Sequence, residues 1–146
     1  MGNDGGLRKL FQEHLPIVHW QSIETGMTGR GIPDTNGCVD GVEFWIEYKQ
    51  TSGYTVTLRP EQIAWLLRRE RAGGHTFVAV RRKCSAGPRR AAADELWLIP
   101  GAMAREARDG GLRPLEYDES VLVHHGGPAA WNWKCVMRML RGEKHC

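Results

Sequence analysis

Hydrophobic residues recur at two different periods in the first half of the chain. Between residues 7 and 15 they are spaced by three and four positions, the period of an amphipathic helix, and Pro16 ends this pattern. Between residues 42 and 50 they alternate with polar residues, which is the period of a strand. The apolar face of this strand carries Val42, Phe44, Ile46 and Tyr48. The opposite face carries Glu43, Trp45, Glu47 and Lys49.

The rest of the chain divides into short elements separated by glycine and proline. We expect a strand at 17–24, a turn-rich loop at 26–33, a helix from Pro60 to the Gly73-Gly74 pair, a strand at 76–80, a basic loop at 83–93, a strand at 96–99, a helix at 100–108, a mostly irregular segment at 110–127 and a closing helix at 129–140. This order predicts an α/β (α+β) fold in which a mixed β-sheet is flanked by α-helices.

The length and composition are typical of one globular domain. Of the 146 residues, 41% are hydrophobic and 25% are charged, which excludes a disordered chain and a collagen-like repeat. We therefore expect a single domain at 1–146, with strand and helices of 94–146 packing on the preceding part. No apolar run reaches the roughly 20 residues of a membrane-spanning helix. The polar first residues do not resemble a secretory signal, so we expect a cytoplasmic protein.

The four cysteines agree with that location. They are scattered, and no two of them form a C-x-x-C pair, so we expect buried or free thiols. A zinc site could be imagined from Cys84, Cys135, His145 and Cys146, but the spacing matches no structural zinc pattern and we do not predict one.

Positive charge is concentrated in the middle of the chain. The net charge of the whole chain is +3, yet residues 59–90 contain nine basic and two acidic residues. The basic residues are Arg59, Arg68, Arg69, Arg71, Arg81, Arg82, Lys83, Arg89 and Arg90. Such a segment suits a surface that binds a polyanion, because each neutralised phosphate releases condensed counterions. A solvated helix face followed by a basic loop would explain the same charges.

Three ionisable residues suggest a metal site. Glu47 and Lys49 are two positions apart on a strand, so they leave the same face with Cα atoms about 6.5–7 Å apart. Asp34 follows Pro33, which stiffens the chain before it. Two carboxylates near each other require a compensating cation. Mg²⁺ suits oxygen ligands of this kind, keeps several waters and can promote attack on a phosphodiester.

The motif Pro33-Asp34, a gap of twelve residues and Glu47-Tyr48-Lys49 resembles the PD-(D/E)xK nuclease superfamily. The resemblance extends to the segment 31–34, the strand 44–49, Gln62 on the following helix and the basic strand after Gly73-Gly74. These features are similar to the virus-type replication-repair nuclease branch, VRR-NUC. Its small stand-alone members resemble Holliday junction resolvases and are typical of phages. The resemblance covers about 7–82 and implies a restriction-endonuclease-like core.

The resemblance also implies a role for each matching residue. Asp34, Glu47 and the main-chain carbonyl of Tyr48 would bind Mg²⁺, for which Mn²⁺ could substitute. Lys49 would be the catalytic lysine, acting either on the attacking water or on the developing negative charge. Gln62 would contact the site from its helix. The first helix would add a glutamate, for which Glu13 matches by position and Glu24 is the rival.

We therefore expect a magnesium-dependent DNA endonuclease, selective for Holliday junctions or other branched DNA and acting as a homodimer. A restriction-like or nicking nuclease of the same superfamily is the alternative enzyme. A non-catalytic nucleic-acid-binding module is the alternative from another class. The residues expected to bind DNA are Arg59, Arg68, Arg69, Arg81, Arg82 and Lys83.

Overall fold

The computed structural model of the chain describes residues 4–24 and 30–146. Its helices and strands are, in order, α1 Leu7–His14, β1 His19–Ser22, β2 Thr35–Val39, β3 Val42–Thr51, α2 Pro60–Arg71, β4 His75–Cys84, β5 Ala93–Pro100, α3 Ala104–Gly110, β6 Leu122–His124 and α4 Trp133–Leu140. Short 3₁₀ turns lie at Gly101–Met103 and Arg113–Leu115. In the described residues, no helix is both long and apolar enough to cross a membrane.

The six strands form one mixed sheet in which chain order is also spatial order. β3 and β4 are parallel, and the other neighbouring pairs are antiparallel. Parallel neighbours need a crossover connection, which α2 provides between β3 and β4. The predicted fold class, a mixed sheet flanked by helices, is confirmed.

Helices cover both faces of this sheet. On one face, here called the α1 face, Phe11 of α1 and Val136 of α4 share a hydrophobic cluster with Phe44 of β3. On the other face, the α2 face, Ile63 of α2 shares a second cluster with Val78 of β4. Because successive strand residues point to opposite faces, the alternation seen in the sequence of β3 directs its apolar residues to the α1 face and Glu47 and Lys49 to the α2 face.

Several elements differ from the sequence-based expectations. β2 was not expected, because Asn36 and Gly37 are poor strand formers; pairing on both sides holds it in the sheet. The three-residue β6 was also missed within the segment expected to be irregular. β4 continues to Cys84, into the expected basic loop. α4 begins at Trp133 instead of residue 129, because the Asn132 side chain caps it by accepting the Cys135 N–H at 3.2 Å.

The expectation of buried or free thiols is wrong for two cysteines. Cys135 in α4 and Cys146 form a disulfide, with Cα atoms 5.3 Å apart, whereas Cys38 and Cys84 are free. The bond joins the C-terminal segment to the helix that covers the α1 face. Disulfides are uncommon in reducing compartments, so cysteine usage no longer supports a cytoplasmic location.

Candidate active site

Asp34 lies directly before β2 and opposite Glu47 of β3. The ladder pairs Thr35 with Ile46, so one further step pairs Asp34 with Glu47. The Asp34 carbonyl accepts a 2.9 Å hydrogen bond from the N–H of Ile23, which extends the sheet through this position. Because directly opposite residues point to the same face, both carboxylates lie on the α2 face.

The hairpin turn between β2 and β3 fixes this register. Its two central residues, Asp40 and Gly41, have φ values of 52° and 77°, as a type I′ turn requires. The shift of a strand by one residue would move all of its side chains to the opposite face. The turn therefore helps to keep Asp34 and Glu47 together.

Two contacts hold the corner that carries Asp34. The Asp34 Oδ2 atom accepts a 2.9 Å hydrogen bond from the main-chain N–H of Tyr48. Gly31, with φ +79°, packs so closely against α2 that a Cβ at this position would collide with the Glu61 carbonyl oxygen. Only glycine combines this backbone conformation with this approach. The corner is therefore docked on the first turn of α2.

Gln62, in that first turn, connects the ionisable residues. Its Nε2 donates a 3.0 Å hydrogen bond to Glu47 Oε2, and its Oε1 accepts a 3.2 Å bond from Lys49 Nζ. The same Oε1 accepts the Arg59 main-chain N–H at 2.9 Å, as in a capping box. Lys49 Nζ lies 3.6 Å from Glu47 Oε2. Asp34, Glu47, Lys49 and Gln62 thus form one cluster.

The surroundings of Glu47 disfavour its negative charge. The pKa of Glu47 is raised from its ordinary value of 4.5 to about 8: burial is the largest cause, the nearby Asp34 carboxylate adds to it, and Lys49 opposes the shift. An acid with such a pKa is half protonated in weakly basic solution. A cation between the two carboxylates would offset both causes of the shift, because it compensates the buried charge of Glu47 and its repulsion by Asp34.

The donors in the cluster fit a hard divalent cation. Besides the two carboxylates, the main-chain carbonyl of Tyr48 can serve as a metal ligand. In an antiparallel ladder, the N–H and C=O of one residue point to the same neighbouring strand. The Tyr48 N–H bonds Asp34, so the Tyr48 carbonyl points to the same side. Position 33 is opposite Tyr48, and proline has no N–H to donate to that carbonyl. Three protein ligands are enough for Mg²⁺, because this ion retains several waters in its coordination shell. No group of three or more His, Cys, Asp or Glu suited to a metal occurs in residues 4–24 and 30–146.

Comparison with known proteins found distant structural likeness. No family model matches the chain, and no curated protein matches it. The solved structure of Hjc, a Holliday junction resolvase from the archaeal hyperthermophile Archaeoglobus fulgidus, is similar over 66% of this chain and 73% of that chain. The TM-score is 0.44 and the sequence identity is 17%. A likeness at this level assigns neither a family nor an activity.

The two candidates for the additional glutamate lie apart from the cluster's hydrogen bonds. Glu13 is exposed on α1 and lies 3.8 Å from Lys9, its neighbour one turn earlier. α1 packs on the α1 face, whereas Glu47 points to the α2 face. Glu24 is exposed just after β1 and follows Ile23, which pairs with Asp34. Part of the expected 26–33 loop lies outside the described residues, so the choice stays a prediction.

Two of the expected DNA-binding arginines have internal partners. Arg81 forms a bidentate ion pair with Asp94, at 2.8 and 2.7 Å, on the α1 face. Arg82 is buried on the α2 face, where it lies 3.1 Å from Glu95 and stacks over Tyr54. Binding a phosphate would require either arginine to give up an ion pair. Counting charges along the sequence could not reveal these ion pairs, because the acidic partners belong to the adjacent strand β5.

The other expected DNA-binding residues remain near solvent. Arg59 lies 3.4 Å from Glu61 and is largely exposed. Arg68, Arg69 and Lys83 are exposed, as are Arg71, Arg89 and Arg90. Within the basic segment 59–90, the accessible positive charge is therefore carried by Arg59, by α2 and by residues 83–90.

One effect of Pro33 was not predicted from the sequence: it leaves the Tyr48 carbonyl without an N–H donor on the opposite strand. Its effect on the Tyr48 carbonyl depends on register, which can be counted outward from the Asp40-Gly41 turn. Asp-Gly between alternating residues is a strong hairpin signal. Reading that signal would have placed Pro33 opposite Tyr48 and Asp34 opposite Glu47.

Proposed function

We propose that the chain is a magnesium-dependent DNA endonuclease that hydrolyses phosphodiester bonds. The observation that carries this proposal is the convergence of Asp34, Glu47 and Lys49 on the α2 face, bridged by Gln62. Paired carboxylates with an ammonium beside them can bind both a hard cation and a phosphate. The order of these residues also fits the PD-(D/E)xK motif, on which VRR-NUC membership and a phage origin are proposed.

Each residue of the cluster has a distinct part in the proposed reaction. Asp34, Glu47 and the Tyr48 carbonyl would hold Mg²⁺, which supplies an activated water and neutralises charge on the phosphate. Lys49 places a positive charge beside the reacting phosphate and orients the attacking water. Gln62 fixes the positions of Glu47 and Lys49 through its amide.

The proposed substrate is DNA chosen by its structure. The cations near solvent can contact phosphates, which supply affinity without sequence information. Selectivity would then come from the shape of branched DNA, with the four-way junction as the first candidate. A four-way junction has two-fold symmetry, which a homodimer with two sites would match.

Cleavage of a panel of DNA structures tests this proposal. The purified chain is incubated with end-labelled four-way junctions, flaps, forks and linear duplex, with Mg²⁺, with Mn²⁺ or with chelator. We expect metal-dependent cleavage of branched DNA that exceeds cleavage of linear duplex. Equal cleavage of linear duplex would favour the restriction-like alternative. Binding without cleavage under any metal would identify a non-catalytic module and overturn the proposal.

A further inference from the structure

An aromatic and cationic group lies beside the candidate site and takes no part in its hydrogen bonds. The rings of Trp45 and Trp65 have centroids 5.1 Å apart, with 59° between their planes. The Arg69 guanidinium carbon lies 5.3 Å from the Trp45 centroid and 4.6 Å from the Trp65 centroid. We call these three residues the tryptophan platform.

The platform adjoins the candidate metal ligands through β3. Trp45 precedes Glu47 by two residues on the same strand, so both point to the α2 face with Cα atoms about 6.5–7 Å apart. Asn36 of β2 pairs with Trp45, and the next residue on that face is Asp34, directly before β2. A phosphate at Asp34 and Glu47 would therefore have the platform beside it along the strand.

Core packing does not account for Trp45. Its side chain is partly exposed, and in the described residues it belongs to neither hydrophobic cluster. Trp65 is also partly exposed and packs at the edge of the α2-face cluster. By contrast, Trp97 on the same face is 2% exposed and lies within that cluster.

The backbone makes room for Arg69 to lie over the rings. A Cβ at Gly74 would lie 2.6 Å from Arg69 Cδ and 2.7 Å from Arg69 Cγ, so a larger residue would displace this side chain. The Gly74 N–H also donates a 2.9 Å hydrogen bond to the Arg69 carbonyl. The planar guanidinium is thus held against the tryptophans while its side chain remains exposed. Planar guanidinium and indole groups are the side chains on which bases stack.

We propose that the tryptophan platform stacks an unpaired nucleobase next to the phosphate that would enter the site of Asp34, Glu47 and Lys49. The identity of the ligand as DNA rests on the proposed function. The positive charge of Arg69 complements the phosphate backbone, and the ring faces suit any base, because stacking does not read sequence. Bases within a duplex are stacked on each other and cannot reach a side-chain surface without leaving the helix. Among branched DNA, the platform would thereby favour flaps and forks, which have unpaired nucleotides, over a fully paired four-way junction.

Comparing a base-containing strand with an abasic strand of equal charge tests this proposal. The Asp34→Asn chain is used without metal, so that no cleavage occurs, and its affinity is measured for an oligothymidylate of about 16 nucleotides and for an abasic strand of the same length. We expect Trp45→Leu, added to this chain, to weaken binding of the oligothymidylate about tenfold, as loss of one stacked base would. Binding of the abasic strand should not change.

Matched variants separate stacking from charge and from folding. Arg69→Gln and Arg71→Gln remove the same charge from the same helix, and only Arg69→Gln should reduce the preference for the base-containing strand. Trp133→Leu changes a partly exposed tryptophan of α4 on the α1 face and should not alter that preference. If Trp45→Leu unfolds the chain, the comparison of Arg69→Gln with Arg71→Gln still tests the proposal.

Equal weakening on both strands, or an unchanged preference in Trp45→Leu and Arg69→Gln, would overturn the platform. These outcomes are separable from those for the nuclease. If the unsubstituted chain cleaves branched DNA but binding does not depend on bases, the proposed nuclease activity stands and the platform is overturned. If binding depends on bases but no metal supports cleavage, the platform stands and the proposed nuclease activity is overturned.

Discussion

The main-chain N–H of Tyr48 donates a 2.9 Å hydrogen bond to Oδ2 of Asp34. This bond joins the corner after Pro33 to the strand that carries Glu47 and Lys49. It gives the Asp34 carboxylate one fixed oxygen before any metal binds. The acid is therefore preorganised, and its charge can be removed without removing the hydrogen bond.

Asp34→Asn should abolish cleavage while preserving the fold, because the amide oxygen can still accept the Tyr48 N–H. We expect single-turnover cleavage to fall by about 10²–10³-fold or more, since charge stabilisation is lost. Affinity for DNA without metal should be unchanged or higher, because a repulsive charge has gone. Asp40→Asn, in the exposed hairpin turn, is the matched control and should cleave normally. Normal cleavage by Asp34→Asn would remove this residue from the mechanism.

Glu47→Gln should stabilise the metal-free chain and abolish cleavage. The folded pKa of Glu47 is about 8 against an ordinary value of 4.5, so the folded state holds a proton that the unfolded state releases between these values. Stability contributed by this group is therefore present below pH 4.5 and lost as the pH rises to about 8. The glutamine, which never ionises, should gain about 3 kcal/mol relative to the glutamate at pH 7.

Urea unfolding in chelator from pH 5 to 9 measures this difference. The gap between Glu47→Gln and the unsubstituted chain should widen as the pH rises and level off above about 8. Glu43→Gln, on the same strand but exposed, should show no such gap. A gap that is constant with pH would mean that the Glu47 charge is not disfavoured by the fold.

Gln62→Leu should reduce turnover more than it weakens DNA binding. The amide holds Glu47 at 3.0 Å and Lys49 at 3.2 Å, so both lose a partner. We expect kcat to fall by roughly 10-fold to 100-fold with little change in KM, and the pH dependence of kcat to shift. Gln12→Leu on α1 serves as a control. A lower melting temperature with an unchanged pH profile would assign Gln62 a structural role only.

The sequence predicted the cluster better than it predicted the elements that build it. Glu47 and Lys49 could be assigned to one face because strand alternation is strict over β3. Asp34 was predicted from the PD-(D/E)xK motif and from its position directly after Pro33. The strand that positions Asp34 was missed, because Asn36 and Gly37 have low strand propensity and β2 is stabilised by its neighbours on both sides.

Charge was the least predictable property. Arg81 and Arg82 lie within a basic segment, yet the fold pairs them with Asp94 and Glu95 of β5. The register of β4 with β5 decides these pairs, and it continues to the Gly87–Arg90 bridge around a Gly-Pro turn, which was predicted only as part of a basic loop. The disulfide could not be predicted, because Cys135 and Cys146 meet only when the C-terminal segment returns to α4.

Gly31→Ala should lower both stability and cleavage. Its φ of +79° is unfavourable for alanine, and the new methyl would collide with the Glu61 carbonyl. We expect a loss of about 2 kcal/mol or more in the free energy of unfolding. Cleavage by the folded protein should also fall, since Asp34 and Gln62 are separated. Gly53→Ala, at a position with no neighbouring atom within 4 Å, should affect neither; equal behaviour of the two variants would show that the corner is not docked on α2.

Replacing Arg68 and Arg71 by glutamine should weaken binding to all DNA sequences and flatten its dependence on salt. Both side chains are exposed on α2, so each can release counterions by contacting a phosphate, and losing two contacts should reduce the salt slope by about 1–2. Arg81→Gln removes a charge that is already neutralised by Asp94 at 2.7 Å, so it should lower stability and leave the slope unchanged. Fluorescence anisotropy from low to moderate salt distinguishes the two. A reduced slope in Arg81→Gln with a normal slope in the double variant would place the DNA on the α1 face, away from Asp34 and Glu47.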